Sequence, residues 1–238
     1  MKRVLITGAS SGIGHQLALD YASEGWHVTA CGRDSSKLQS LLEKFSSIRV
    51  CEFDITDLTE TRRALSSKSA DLVILCAGTC EYIDHGEVEA EKVHRVMNIN
   101  FNGPVNCLDV LLPQLSPGSR VALVGSSASL VPLPRAEAYG ASKAALAYFA
   151  RSLAQDLKRK QIAVSLVLPG FVDTPLTRRN DFAMPMIMSV EQASRCIRRG
   201  LAKGKAEFAF PRLFSIILRI TSRLPYALQR LLTQQIAR

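Results

Sequence analysis

Short apolar runs and amphipathic stretches alternate along the chain with a regular beat. "RVLIT" (3–7) has the near-continuous apolar pattern of a buried strand, and a glycine-rich turn and the helical periodicity of "QLALDYASEG" follow it. The beat repeats through "HVTAC" (27–31) and "SSKLQSLLEKF", then "IRVCEF" (48–53) and "LTETRRALSS", then "DLVILCAG" (71–78). A long helical stretch from about Glu89 to Leu115 leads to "RVALVGSS" (120–127). A helix around Tyr139, the strand "IAVSLVLPG" (162–170), the helical "SVEQASRCIRRGLAKG" (189–204) and a short strand "AEFAF" (206–210) complete the series. Buried strands separated by helices predict right-handed βαβ units. The expected fold class is therefore α/β, a doubly wound parallel sheet of Rossmann type with its ligand crevice at the carboxyl ends of the strands. One domain is expected over residues 1–210, followed by a helical segment over 211–238 that Pro225 divides.

Composition narrows the class without changing the fold. A hydrophobic fraction of 47% and a charged fraction of 21% are those of an ordinary globular domain. No apolar run is long enough to span a membrane. The opening "MKRVLITGAS" holds too short an apolar run for a signal peptide, so a cytoplasmic protein is expected. The six cysteines are scattered, and the one close pair, Cys76 and Cys80, lacks the second pair that a zinc site needs. Reduced thiols and no metal are expected. The net charge of +9 is uneven: Arg212, Arg219, Arg223, Arg230 and Arg238 follow Phe208 with no acid among them, leaving +4 for everything before. No aromatic–basic stripe suggests a nucleic-acid partner.

Two motifs carry chemistry. In "TGASSGIG" (7–14) Gly8 suits a tight turn, Gly12 a close backbone approach to a pyrophosphate, and Gly14 tight helix–strand packing. The helix that starts there presents free N–H groups and a positive dipole end to phosphate. In "EAYGASKAA" (137–145) Tyr139 and Lys143 stand four residues apart, on one helical face. A free phenol is a reluctant acid or base near neutrality, and a nearby ammonium favours its phenolate. The pair is a proton-transfer unit or two unrelated polar residues, and its context decides.

With these motifs the sequence resembles the classical short-chain dehydrogenase/reductase family from residue 3 to about 210. Thr7, Gly8, Gly12 and Gly14 meet the family spacing T-G-x-x-x-G-x-G, with Ser10, Ser11 and Ile13 in the same turn. The resemblance implies that Tyr139 is the acid/base and that Lys143 tunes it and holds the nicotinamide ribose. It places Ser126, 13 residues before Tyr139, against the substrate carbonyl, with Ser127 and Ser129 as neighbours. In "MNINFNG" (97–103) the pattern Asn-x-x-Gly selects Asn100 and Gly103, Asn100 holding a water in a proton relay from Lys143; Asn98 and Asn102 are the bland alternatives. Asp54 and Ile55 match positions at the adenine ring. "PGFVDT" matches the cover of the nicotinamide, with Pro169, Gly170, Val172 and Thr174. Ala77 and Gly78 close "CAG", where Leu75 and Cys76 replace two usual asparagines, so one set of structural hydrogen bonds must be replaced or absent.

The second strand reads the dinucleotide. An acid at its end would hold the ribose 2′-hydroxyl of NAD, and the family's position for it is Gly32 here. Arg33 follows, with a guanidinium suited to a 2′-phosphate, while Asp34 comes one place late and is available to pair with Arg33. The expected cofactor is NADP(H). The expected activity is interconversion of a carbonyl and an alcohol by hydride transfer on a small-molecule substrate, in a homo-oligomer. A catalytically silent NADPH-binding scaffold or sensor is the rival.

The segment "PLTRRNDFAMPMIMS" (175–189) occupies the family's substrate lid. Phe182, Met184, Met186, Ile187 and Met188 either line a pocket for a hydrophobic or lipid-like substrate or merely pack the lid. Arg178 and Arg179 either meet an acidic group or are solvated. The basic amphipathic segment after Phe210 is a subunit interface, a membrane-surface contact, or a cap over the cleft.

Overall fold

The computed structural model describes residues 1–234, and in it the expected alternation closes into one seven-stranded parallel sheet. The strands are β1 (Arg3–Thr7), β2 (His27–Gly32), β3 (Ile48–Glu52), β4 (Leu72–Leu75), β5 (Arg120–Val124), β6 (Ala163–Pro169) and β7 (Glu207–Phe210). Their spatial order is β3-β2-β1-β4-β5-β6-β7. The chain thus winds outward from β1 in one direction and resumes at β4 in the other. The crevice at this reversal, between the carboxyl ends of β1 and β4, is where a doubly wound sheet takes its ligand.

Side chains alternate between the two faces of the sheet. Leu5, Val73 and Leu123 pack into one buried cluster, while their neighbours Val4, Ile74 and Ala122 pack into the other. Burial on both faces is why the strands read as apolar runs rather than as alternation. The helices covering these faces are α1 (Gly12–Ser23), α2 (Ser35–Leu42), α3 (Leu58–Leu65), α4 (Ala90–Met97), α5 (Gly103–Leu111), α6 (Glu137–Leu157) and α7 (Val190–Ala202).

Three departures from the expected boundaries have physical causes. The pattern "DLVILCAG" gives a strand only over Leu72–Leu75, because the hydroxyl of Thr7 accepts the amides of Cys76 and Ala77 at 3.1 and 3.2 Å and draws them out of the ladder. Similarly β5 stops at Val124, and after it Gly125, whose amide still bonds the Val167 carbonyl of β6 at 2.8 Å, and Ser126 line the crevice. The long helix expected from Glu89 to Leu115 carries a π-helical turn at Asn98–Asn102 between α4 and α5. Such a turn inserts a residue and re-aims the side chains beside it.

The C-terminal segment forms α8 (Arg212–Thr221) and α9 (Tyr226–Gln234), parted at Pro225 as its missing N–H requires. Residues 235–238, with the Arg238 counted in the basic segment, lie outside the described residues.

Candidate active site

The glycine turn after β1 is a cradle that side chains would fill. Gly8 has φ +70°, and a Cβ there would lie 2.8 Å from the Cα of Ala77. A Cβ on Gly14 would lie 2.4 Å from the carbonyl oxygen of Gly8. Both contacts are with backbone, so neither position can yield. Ser11, in extended conformation before α1, makes no side-chain cap, and the first-turn amides of the helix remain open to the crevice. This is a fitting seat for a pyrophosphate.

The crevice has a volume of about 760 Å³. The expected cofactor residues come together along it. Gly8, Ser10, Ser11, Gly12, Ile13 and Gly14 line its middle, and Arg33, Asp54 and Ile55 line it beside the ends of β2 and β3. Ala77 and Gly78 line it after β4, and Pro169, Gly170, Val172 and Thr174 line it after β6, where a Cβ on Gly12 would lie 3.1 Å from Thr174. Sequence reasoning passed over Lys37, Phe53, Thr79 and Ile99, which also line it, and Arg179, weighed only as a lid residue, lines it as well. Lys37 had a signal, since one turn into α2 a lysine faces the same loop as Arg33.

Beside the end of β2 the carboxylates that line the crevice, Asp34 and Asp54, are both engaged. Asp34 caps α2: its carboxylate accepts the Lys37 amide and the Ser36 hydroxyl, and pairs with the Lys37 ammonium at 2.6 Å. The pairing of Asp34 with Arg33 that the sequence left available is not made. Arg33 instead lies 3.3 Å from Asp54 with its side chain 64% exposed. The Asp54 carboxylate also accepts the amide and hydroxyl of Thr56. Partial burial opposes its ionisation, but Thr56 and Arg33 together hold its pKa below the usual range. The exposed guanidinium and the Lys37 ammonium beside it fit a phosphate on the 2′ position.

Tyr139 and Lys143 lie in the first turns of α6, and small alanines around them let the helix approach the sheet. Tyr139 and Ser126 face two cavities at once, the long crevice and a smaller chamber of about 100 Å³. Lys143 is buried, donates to the carbonyl of Val124 at 3.1 Å, and sits 5.8 Å from the centre of the Tyr139 ring. Burial lowers its pKa to about 8. Burial also pushes the Tyr139 phenol well above its ordinary value, against the pull of the Ser126 hydroxyl. The expected depression of the phenol by the ammonium is therefore not what the protein alone produces. Desolvation outweighs the Ser126 hydrogen bond and favours the neutral phenol.

Asn100 stands behind the crevice rather than in its wall. Its side chain is fully buried, accepts the Thr79 amide at 2.8 Å, and donates to the Thr79 carbonyl and the Ser142 hydroxyl at 2.9 Å each. These bonds tie the loop after β4 to α6 just beside Lys143. Pro104, four residues on, has no N–H to give the Asn100 carbonyl, so the α-helical bond between them cannot form. Asn98 and Asn102 bond to each other at 2.7 Å and are occupied elsewhere.

The smaller chamber is largely apolar. Leu133, Phe171, Leu176, Phe182 and Phe214 contribute, with Cys80, Tyr82, Arg135 and Asn180 among its polar members beside Ser126 and Tyr139. Phe182 packs edge-on against Tyr82 and Phe171. Of the five apolar lid residues, only Phe182 lines it. Met186 and Ile187 point outward, Met188 packs on the main core, and Met184 accepts from Asn180. Arg178 pairs with Asp173 at 2.7 Å, away from the chamber, whereas Arg179 lines the crevice. Arg135, which sequence reasoning missed, bridges Asp84 and the lid residue Asp181 at 2.7 Å each, so its charge is already answered.

The short chain dehydrogenase family profile matches residues 2–183. The chain belongs to the short-chain dehydrogenase/reductase family. An uncharacterized oxidoreductase of Myxococcus xanthus is 36% identical to this family member over 235 residues, covering 94% of this chain and 93% of that protein. Among solved structures, a short-chain dehydrogenase/reductase of Burkholderia phymatum in complex with NAD superposes with a TM-score of 0.83 at 19% identity, over 92% of each chain. BdcA in complex with NADPH gives 0.78 at 23% identity, over 87% of this chain and 92% of that one. At such identities these two likenesses speak to the fold, and both dinucleotides occur among the neighbours.

Proposed function

We propose that this short-chain dehydrogenase/reductase uses NADP(H) to interconvert a carbonyl and an alcohol on a hydrophobic substrate, with Tyr139 as proton donor in the direction of reduction. The observation that carries the reading is the meeting of the two cavities at Tyr139 and Ser126. A dinucleotide bound along the crevice would supply the hydride for a carbonyl carbon held in the chamber. The oxygen would then become an alkoxide, whose conjugate acid is on the order of water in weakness. Even a phenol raised by burial gives up its proton to such a base.

Ser126 holds the carbonyl oxygen in place for that transfer. Lys143 would bind the ribose with its ammonium and return protons to Tyr139. Thr174 and Gly170 would cover the nicotinamide, while Arg33 and Lys37 would hold the 2′-phosphate. The aromatic walls of the chamber, and the prior engagement of Arg135 with two carboxylates, favour a neutral apolar substrate over an acidic one.

Titration of the protein with NADPH and with NADH, followed by nicotinamide fluorescence, tests the cofactor first. Tighter binding of NADPH is expected, and tighter NADH binding would remove the reading of Arg33. A panel of apolar ketones and aldehydes then tests turnover. Tyr139→Phe is expected to keep NADPH affinity and lose the rate; equal rates in the two proteins would remove Tyr139 as the proton donor, and no turnover by wild type would leave the scaffold reading.

A further inference from the structure

Helix α8 is apolar on two sides. Its inner side buries Phe214 and Leu218 against Val131, Leu133 and Phe171, and Phe214 walls the substrate chamber. Its outer side exposes Leu213, Ile216, Ile217 and Ile220 by 59%, 51%, 46% and 59%. Their i, i+3, i+4, i+7 spacing makes them one continuous stripe. On α9 the residues Leu228, Leu231 and Leu232 are also about half exposed, at 46%, 58% and 47%. Scattered exposed leucines are normal, but a stripe of this length on adjoining helices marks a contact surface.

Charge identifies the partner. No acidic residue occurs from Pro211 to the end of the chain, whereas Arg212, Arg219 and Arg223 recur at helical spacing along one flank of the stripe. Arg219 bonds to Glu207 at 2.5 Å. Among the described residues Arg212 and Arg223 pair with no carboxylate, and both are exposed. A second copy meeting this face by a two-fold axis would set arginines against arginines with no acid from either segment to answer them. An anionic lipid surface supplies the missing charge and an apolar layer beneath it. Among the described residues no helix is long and apolar enough to cross a membrane, so the contact is one that lies on the surface.

We propose that the outer face of α8, extended by α9, docks this protein on an anionic lipid surface, with the isoleucine stripe immersed and Arg212 and Arg223 at the headgroups. The substrate chamber then lies one helix behind the bilayer surface, and a lipid-dissolved carbonyl reaches it past Phe214. That consequence alone rests on the proposed function; the docking does not.

Co-sedimentation of the full chain with phosphatidylcholine vesicles, with and without phosphatidylserine, tests the docking. Binding to the anionic vesicles only, weakened by salt, is expected. Arg212→Gln with Arg223→Gln should lower the partitioning on the order of tenfold. Ile216→Asp with Ile220→Asp should abolish it, while the NADPH titration and the unfolding midpoint of the variant stay those of wild type. Deleting the segment would be a poorer test, since it also removes Phe214 from the chamber. Wild type left in the supernatant, or equal partitioning of the aspartate variant, overturns the proposal. So does a wild-type dimer that this variant converts to monomers, because the face would then be an interface between copies. Vesicle binding requires no turnover, so its failure is distinct from a failure of the proposed activity.

Discussion

The cofactor crevice and the substrate chamber share Tyr139 and Ser126, yet they are built by opposite means. The crevice is backbone: glycines whose added Cβ atoms would strike main chain, open amides at the start of α1, and strand ends held by the Thr7 hydroxyl. The chamber is side chain, assembled from the loop after β4, the loop before α6, the lid and α8. A backbone site has little freedom to drift and binds the part of the reaction that does not vary. A side-chain site can be retuned by substitution without disturbing the sheet.

The largest effect expected on the shared point is that of Tyr139→Phe. Loss of the proton donor should lower kcat about 10²- to 10⁴-fold with NADPH affinity within a few-fold of wild type, read by steady-state rates and fluorescence titration. A substitution on the backbone side should do the reverse. Gly14→Val places a Cβ within 2.4 Å of the Gly8 carbonyl, and should abolish dinucleotide binding or lower the yield of folded protein, measured by titration and by circular dichroism.

Next in size comes Arg33→Gln. Loss of a charge-assisted contact worth about 1.5–3 kcal/mol should weaken NADPH about ten- to a hundredfold and leave NADH nearly unchanged. Equal loss for both would show that Arg33 serves only to hold Asp54.

Lys143 divides function from stability. Its pKa in the folded protein, about 8, lies below the ordinary 10.5, so the unfolded chain binds more protons between these values. Burying the ammonium thus costs stability below about pH 8, and the cost fades as pH rises from there. Lys143→Met should unfold at the same or higher denaturant concentration at pH 7, the freed Val124 carbonyl offsetting part of the gain. Its NADPH affinity should nevertheless fall, and that of wild type should decline as pH rises through about 8 where the variant shows no such step.

The smallest effect is expected on the side-chain site. Phe182→Ala should raise KM for an apolar ketone several-fold and leave kcat and NADPH affinity close to wild type. A large fall in kcat would mean that the lid aligns the substrate rather than merely enclosing it.

The crevice was legible in the sequence because a tight turn, a close approach and a helix start each demand a particular residue at a particular spacing. The chamber was legible only where the lid could be recognised, and of its five apolar residues the structure puts Phe182 alone in the wall. Tyr82, Arg135, Phe171 and Phe214 carry no local signal, since their role depends on segments far apart in the chain. The Tyr139–Lys143 pair was legible as an i,i+4 pair, but the balance between ammonium and burial was not. Pro104 was a signal passed over, for a proline four residues after Asn100 marks a broken helical bond.

By itself the sequence determined the order of strands and helices, the seat of the pyrophosphate and the residue types that meet at the reaction centre. Those follow from periodicity and from backbone constraints that act within a few residues. Only the tertiary structure decided the engagement of Asp34 by Lys37, the burial that raises the Tyr139 phenol, the prior pairing of Arg135 and the outward stripe on α8. Burial and charge pairing depend on which segments come to lie beside one another, and no stretch of sequence contains its own neighbours.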